Sequence, residues 1–177
     1  SVEGVTSVGS NIKAMFSPVF IFLFFCMALT AISEFGPQQW VGLIMSASGA
    51  SPMLILALTT GVMAVGRFFA GPVVKSLGQT GVLLGGAIFA ALGIFMFSTV
   101  TGPMAYLAAL IFAIGVCYFW PVMVGAVAQR VPLSGALGMS IIGGVGMFST
   151  AIFQPIIGSW IDADRATQAA AGLTGDA

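Results

Sequence analysis

The sequence predicts an all-α membrane protein with five membrane-spanning helices. Hydrophobic residues make up 59% of the 177 residues and charged residues only 6%, whereas an ordinary soluble domain carries roughly 25% charged residues. The mean hydropathy is +1.12. The charge-free runs are long enough to cross about 30 Å of hydrocarbon, which takes roughly 20 helical residues. We therefore expect a multi-pass protein whose main partner is the lipid bilayer.

Five apolar runs follow a short polar start. Residues 1–16 are rich in Ser and Gly, which predicts a cytoplasmic tail or linker. The first run could be read as the core of a secretory signal, but four more runs follow it and no small-residue cleavage site is present. The helical bundle is therefore expected at residues 17–163, with spans at about 18–40, 52–74, 81–98, 104–128 and 133–161.

The distribution of charge predicts the orientation of the spans. If the start of the chain lies in the cytoplasm, five crossings place Lys13, Arg67, Lys75 and Arg130 on the cytoplasmic side and Glu34 near the outer edge. This is the excess of inner cations that membrane proteins show.

Residues 164–177 are polar and follow an odd number of crossings. They predict an extracytoplasmic loop that is truncated before a last helix.

Composition also excludes several functions. Five acidic residues balance five basic ones, so there is no basic surface for nucleic acid. Histidine is absent, and Cys26 and Cys117 lie in apolar runs where a thiol acts as a small hydrophobe. No phosphate-binding loop, acid pair or metal cluster occurs in any span. We therefore expect no metal, no cofactor and no enzymatic activity.

Glycine numbers 24 in 177 residues and much of it lies inside the spans. In lipid, small residues spaced four apart let helices pack closely. We therefore expect close contacts through three pairs or triplets of small residues: Gly66 and Ala70 on the second span, Gly81 and Gly85 on the third, and Ala136, Ser140 and Gly144 on the fifth.

The fifth span is interrupted. Gly143, Gly144, Gly146 and Pro155 weaken or break its helical hydrogen bonding. Within a bilayer such interruptions are tolerated only against protein or a water-filled cavity, and they are typical of transporter sites.

The stretch GRFFAGPVVKSLGQT, residues 66–80, resembles the cytoplasmic loop signature G-x-x-x-D-R-x-G-R of the major facilitator superfamily. Gly71 and Gly78 match its two glycines. Lys75, Ser76 and Gln79 stand where the signature has Asp, Arg and Arg. The preceding pair Gly66-Arg67 and the segments EFGPQQW and CYFWPVMVGAVAQRVP are more similar to the carboxyl-terminal half of such a transporter, in its sugar-type members related to fucose permease.

The resemblance implies five helices of a six-helix half-bundle, whose partners are an amino-terminal half and a last helix. It implies alternating-access transport of a small polar organic solute, sugar-like or nucleoside-like, across the bacterial inner membrane. Proton symport and facilitated transport remain open. The motif positions assigned to the cytoplasmic gate are Gly66, Arg67, Gly71, Lys75 and Gly78.

Three polar residues near the end of the first span are candidate solute ligands. Glu34 within a span either faces a cavity or lies solvated at the outer interface. Gln38 and Gln39 follow a break at Gly36-Pro37, so their amides either face the cavity mouth and bind hydroxyls or begin a polar loop.

Three further candidates lie on the fourth and fifth spans. Tyr118 and Trp120 beside Pro121 either line the cavity or fill the helix core. Gln154 either binds solute or satisfies a backbone carbonyl. Arg67 either obeys the inner-cation bias or clamps the inward gate by pairing with helix-end carbonyls or with an acid in the missing part of the transporter.

A non-transporting helical scaffold is the alternative function. It predicts that Glu34, Gln38, Tyr118 and Gln154 scatter over different faces, whereas a transporter predicts that they converge on one concave surface.

Overall fold

The computed structural model describes residues 8–45, 49–170 and 172, and within these ranges it contains helices and turns but no strand. Ser17 caps the first long helix, because its hydroxyl accepts the Phe20 N–H at 3.3 Å. The helices are α1 Val8–Met15, α2 Pro18–Met45, α3 Pro52–Phe68, α4 Ala70–Thr99, α5 Met104–Val116, α6 Phe119–Arg130 and α7 Gly135–Ala170, with a 3₁₀ turn at Pro132–Ser134.

Four stretches of the described chain have the length and composition to cross a bilayer: Pro18–Gly42, Ala70–Thr99, Met104–Arg130 and Pro132–Ala170. They indicate a membrane protein. The helix Pro52–Phe68 is apolar but shorter, since about 20 residues are needed for a full crossing.

The helices run in alternating directions. α2 and α3 are antiparallel, because Glu34 pairs with Arg67 and Gln38 with Met63. α2 and α7 are parallel, with Trp40 packed against Gly158. A glycine with positive φ lies at each reversal, where other residues would be strained; these are Gly49, Gly78, Gly102 and Gly135, and Gly172 after α7 also has positive φ.

The second reversal lies inside α4. Gly78 has φ 71° and ψ 162°, which divides α4 into two segments. The first segment follows α3 after the single non-helical residue Phe69. The helix boundary at Phe68 thus differs from the predicted end of the second span at residue 74, while the change of direction falls at the second glycine of the loop motif.

Both ends of the predicted bundle differ from the sequence expectation. The tail contains helix α1, and residues 1–7 lie outside the described part. The predicted polar loop from residue 164 is helical as far as Ala170, because α7 continues without a break past Asp162. Residues 171 and 173–177 also lie outside the described part.

Glycine brings α4 and α5 into close contact, but not through the predicted stripe. A Cβ built at Gly86 would lie 2.6 Å from the Gly115 carbonyl oxygen, and one at Gly93 would lie 2.6 Å from the Phe112 Cβ. A Cβ at Gly85 meets no described atom within 4 Å. The stripe Gly81 and Gly85 was therefore the wrong face of this helix.

The same correction applies to α7. The predicted stripe of Ala136, Ser140 and Gly144 is exposed, and the buried face is formed by Gly138, Ile142 and Gly146. Two small-residue stripes lie side by side on this helix, and spacing alone does not distinguish them.

The two ends of the bundle differ in charge. Lys13, Lys75 and Arg130 lie at what we call the basic end, with the start of α2 and the reversal at Gly78. Arg130 donates to the Thr80 hydroxyl there at 3.3 Å. What we call the acidic end carries Asp162 and Asp164, with one cation, Arg165, on the extension of α7.

Candidate functional site

A buried ion pair joins α2 to α3. The Arg67 Nη2 lies 3.0 Å from the Glu34 Oε1. The Glu34 side chain is 1% exposed, whereas the Arg67 side chain is 43% exposed. Removing a carboxylate from water costs several kcal/mol unless an opposite charge and hydrogen bonds compensate it. Arg67 supplies both, so the pair as a whole is neutral.

The break between α5 and α6 supplies a second acceptor to Arg67. In a continuous helix the Cys117 carbonyl would accept the N–H of the residue four positions later, but that residue is Pro121, which has none. The Arg67 Nε donates to this carbonyl at 3.0 Å. The proline thus creates an acceptor in the interior of the bundle, and Arg67 occupies it.

Tyr118 holds the backbone next to Arg67. Its hydroxyl donates to the Gly66 carbonyl at 2.9 Å. Gly66 packs so closely on α5 that a Cβ built there would lie 3.1 Å from the Cys117 Sγ. We call Glu34, Arg67, the Cys117 carbonyl and Tyr118 the polar node.

The polar node lies well inside the bundle, which corrects two predictions. Arg67 bonds to the Cys117 carbonyl, in the middle of the pass Met104–Arg130, and to Glu34, so both residues lie near the middle of the bundle and not at its two ends, where the sequence placed them. Lys13, Lys75 and Arg130 remain as the cations of the basic end. Hydrophobic periodicity does not show how deep either residue lies in the bundle. Its position follows from the need of each charge for a partner.

Two sets of polar atoms in and beside the polar node have no partner or only a weak one. The Glu34 Oε2 is buried and accepts no hydrogen bond from the described residues. Gln38 lies one turn along α2, which continues through Gly36-Pro37 without the predicted break. Its one hydrogen bond to a described residue is to sulfur, with its Nε2 at 3.4 Å from the Met63 Sδ. Both residues project toward α3, where Arg67 and Met63 are likewise one turn apart.

Gln154 belongs to a second, separate polar group between α2 and α7. Its Nε2 donates to the Phe35 carbonyl at 2.9 Å, and its Oε1 accepts the Trp40 Nε1–H at 2.8 Å. The amide is used in helix packing. Gln39, which is exposed, joins Gln154 and Asp162 at a cavity of about 530 Å³ at the acidic end.

Trp120 fills the core between α2, α6 and α7. Its ring makes an edge contact with Phe35, with centroids 6.1 Å apart, and it packs against Gly146. The sequence left two roles open for Trp120, lining the cavity or filling the helix core, and these contacts agree with the second.

The remaining motif positions lie toward the basic end. Lys75 and Gly71 are exposed, and a Cβ built at Gly71 meets no described atom within 4 Å. Gly78 forms the reversal. Of the five gate residues, only Arg67 belongs to the polar node, and Gly66 contacts it by accepting the Tyr118 hydroxyl.

The structure thus brings together Glu34, Arg67, Tyr118 and, one turn away, Gln38, and it leaves Gln39, Trp120 and Gln154 elsewhere. The sequence allowed a helix-end carbonyl as a partner of Arg67 without identifying it as that of Cys117, and it placed the acid partner in the missing part of the transporter instead of at Glu34. The signal for the pairing was present: Glu34 and Arg67 are each the one charged residue inside an apolar helix, and in lipid such charges pair.

Comparisons of the chain with protein-family models, with curated proteins and with solved structures find no match. Among the described residues, no group of three His, Cys, Asp or Glu side chains could hold a metal ion.

Proposed function

We propose that the protein takes part in transport of a small polar organic solute across a membrane. The observation that carries this proposal is the polar node: a buried acid and a half-exposed arginine inside an apolar bundle, at the place where the α5–α6 pass is broken. Ionisable residues within a membrane are costly, and those retained usually face a water-filled path or a partner.

The interrupted helices support the same function. Transporters place broken helices at the midplane, where freed backbone groups meet solute or ions. Here two interruptions lie on neighbouring passes. One is the break at Cys117 and Tyr118, and the other is the non-helical residue Phe69, close to Arg67. The polar node is the contact that fixes these passes relative to α2.

The proposal also covers the transporter family and the orientation of the chain. The loop resemblance makes the chain similar to the carboxyl-terminal half of a sugar-type major facilitator transporter of the bacterial inner membrane, working by alternating access with an amino-terminal half and a last helix. The basic end would face the cytoplasm. Symport and facilitated transport are both compatible with one buried carboxylate.

Uptake into proteoliposomes tests the proposal. The full-length gene product is reconstituted and offered a panel of radiolabelled sugars, sugar acids and nucleosides. We expect at least one to accumulate above protein-free vesicles, and we expect Gln38→Ala to reduce that uptake. Trp160→Phe, at an exposed site on α7, is the control and should leave it unchanged. Absence of uptake for the whole panel, with folded protein in the vesicles, contradicts transport of this solute class.

A non-transporting helical scaffold is the second candidate, and one observation favours it. Gln154 of α7 accepts from the Trp40 indole and donates to the Phe35 carbonyl, both on α2, so this polar side chain serves helix packing. A scaffold predicts that Gln38→Ala and Trp160→Phe behave alike in every assay and that no solute enters the vesicles.

A further inference from the structure

Arg67 has more hydrogen-bond donors than the described chain uses. Its Nε donates to the Cys117 carbonyl and its Nη2 to the Glu34 carboxylate. The guanidinium carries further N–H groups in a planar fork, and these have no acceptor among the described residues. Because 43% of the side chain is exposed, this unused edge of the fork, which we call the open edge, is accessible to a ligand.

The chemistry of that open edge favours an anion. A guanidinium is always charged and its fork matches the two oxygens of a carboxylate. Glu34 neutralises the charge in the absence of ligand, but it occupies only one side of the group. A neutral polyol has no pair of charged oxygens that matches this fork.

A second polar group stands beside the fork at a defined spacing. Gln38 and Met63 make one contact between antiparallel α2 and α3, and Glu34 and Arg67 make the next. The two contacts are one helical turn apart, about 6 Å at 1.5 Å per residue. The Gln38 amide, held only by a thioether, is free to bind hydroxyls at that distance from the guanidinium.

We propose that the solute carries a carboxylate, which binds the open edge of Arg67, and hydroxyls, which bind Gln38: a small polyhydroxy monocarboxylate of the sugar-acid class. This proposal rests on the proposed transport function and narrows its solute. Glu34 weakens the binding, because its carboxylate shares the same guanidinium, and it thereby keeps the anion releasable.

Equilibrium binding to the purified full-length protein in detergent tests the proposal without requiring transport. The probes are radiolabelled D-gluconate and D-sorbitol, which share a six-carbon polyol skeleton and differ by the carboxylate. We expect gluconate to bind at least tenfold more tightly than sorbitol. This comparison needs no variant, so it remains decisive even if substitutions at Arg67 fail to fold.

Variants then locate the site. Loss of charge-assisted hydrogen bonds in Arg67→Gln should weaken gluconate binding about 10- to 100-fold, and Gln38→Ala about 2- to 10-fold. Glu34→Gln should tighten it on the order of tenfold, because a competing negative charge is removed. Arg130→Gln, an exposed cation at the basic end, is the control and should bind gluconate as the wild type does.

Equal binding of gluconate and sorbitol, absence of gluconate binding, or binding unaffected by Arg67→Gln would each overturn the proposal. These outcomes are separate from failure of transport. If a neutral sugar enters proteoliposomes and Arg67→Gln leaves that uptake intact, the transport function stands and the anionic solute is rejected.

Discussion

Arg67 makes contacts with two other helices, which is unusual for a residue near the end of a short apolar helix. It pairs with Glu34 on α2 and with the Cys117 carbonyl at the end of α5. A buried carboxylate without this partner would be an uncompensated charge. The side chain therefore contributes to stability and also keeps part of its guanidinium available to a ligand.

The ion pair predicts non-additive effects on stability. Glu34→Gln and Arg67→Gln should each destabilise the fold, because each leaves its partner unpaired, while the double variant should lose less than the sum. The coupling is expected at about 0.5–3 kcal/mol, measured by thermal or denaturant unfolding in detergent followed by tryptophan fluorescence. Strict additivity of the two single effects would show that the pair does not form.

The two tyrosines of the chain provide a matched comparison. Tyr118 donates to the Gly66 carbonyl, and Tyr106 accepts the Ser51 N–H at 3.0 Å. Removing either hydroxyl should cost about 0.5–1.5 kcal/mol of unfolding free energy. Only Tyr118→Phe should also reduce uptake, because only Tyr118 lies in the polar node. Equal uptake in the two variants would separate Tyr118 from function.

Among the helices, close packing and interruption have different roles. α4 and α5 approach so closely at Gly86 and Gly93 that no side chain fits between them. The α5–α6 pass, in contrast, is broken in its middle, and Pro121 is the reason that a carbonyl is free there. One side of the α5–α6 pass therefore packs tightly against α4. The side that faces Arg67 has an irregular backbone.

Adjacent glycines on α4 test the packing. Gly86→Ala places a methyl group against the Gly115 carbonyl and should destabilise the protein by about 1–3 kcal/mol. Gly85→Ala, which meets no described atom within 4 Å, should be neutral or stabilise it by up to about 1 kcal/mol. Similar unfolding free energies for the two variants would contradict the assigned face of α4.

Pro121→Ala tests the interruption. The substitution restores an N–H that competes with Arg67 for the Cys117 carbonyl. We expect the pass to become more stable or unchanged in thermal unfolding, while uptake falls. Pro155→Ala, in α7 and outside the polar node, is the matched control and should not lower uptake in the same way. A fall in stability without a change in uptake would remove the proline from the mechanism.

Across the whole bundle, charge and glycine are distributed in a regular way. Glycines with positive φ lie at the four reversals, three of the five cations lie at the basic end, and the one ion pair among the described residues lies between the two ends. The exposed surface elsewhere carries large hydrophobic side chains such as Phe22, Phe148 and Trp160, as a lipid-facing surface does.

Much of this architecture could be predicted from the sequence, since composition and run length identify a helical membrane protein. The location of Gly78 at a reversal was also accessible, from the loop motif. The face of each helix that packs against its neighbours could not be predicted, because parallel small-residue stripes such as those of Gly144 and Gly146 look alike in sequence. For the site, the sequence singled out Glu34, Gln38 and Tyr118 as candidate solute ligands and Arg67 as a residue of the cytoplasmic gate. Their grouping, and the exclusion of Gln154, depends on tertiary contacts between residues up to 119 positions apart.

Accessibility of the face beside Arg67 is the most direct test of the central claim, that this face borders water within the membrane. Cysteine is placed at Ala64, an exposed residue on the turn of α3 preceding Arg67, and separately at Phe148, an exposed residue of α7. Both variants are made in a background with Cys26→Ser and Cys117→Ala, which keeps the Cys117 carbonyl as a backbone group. In proteoliposomes, we expect a membrane-impermeant thiol reagent to modify Ala64→Cys rapidly and Phe148→Cys slowly. Equal protection of both thiols would place Arg67 against lipid or closed packing and contradict the account.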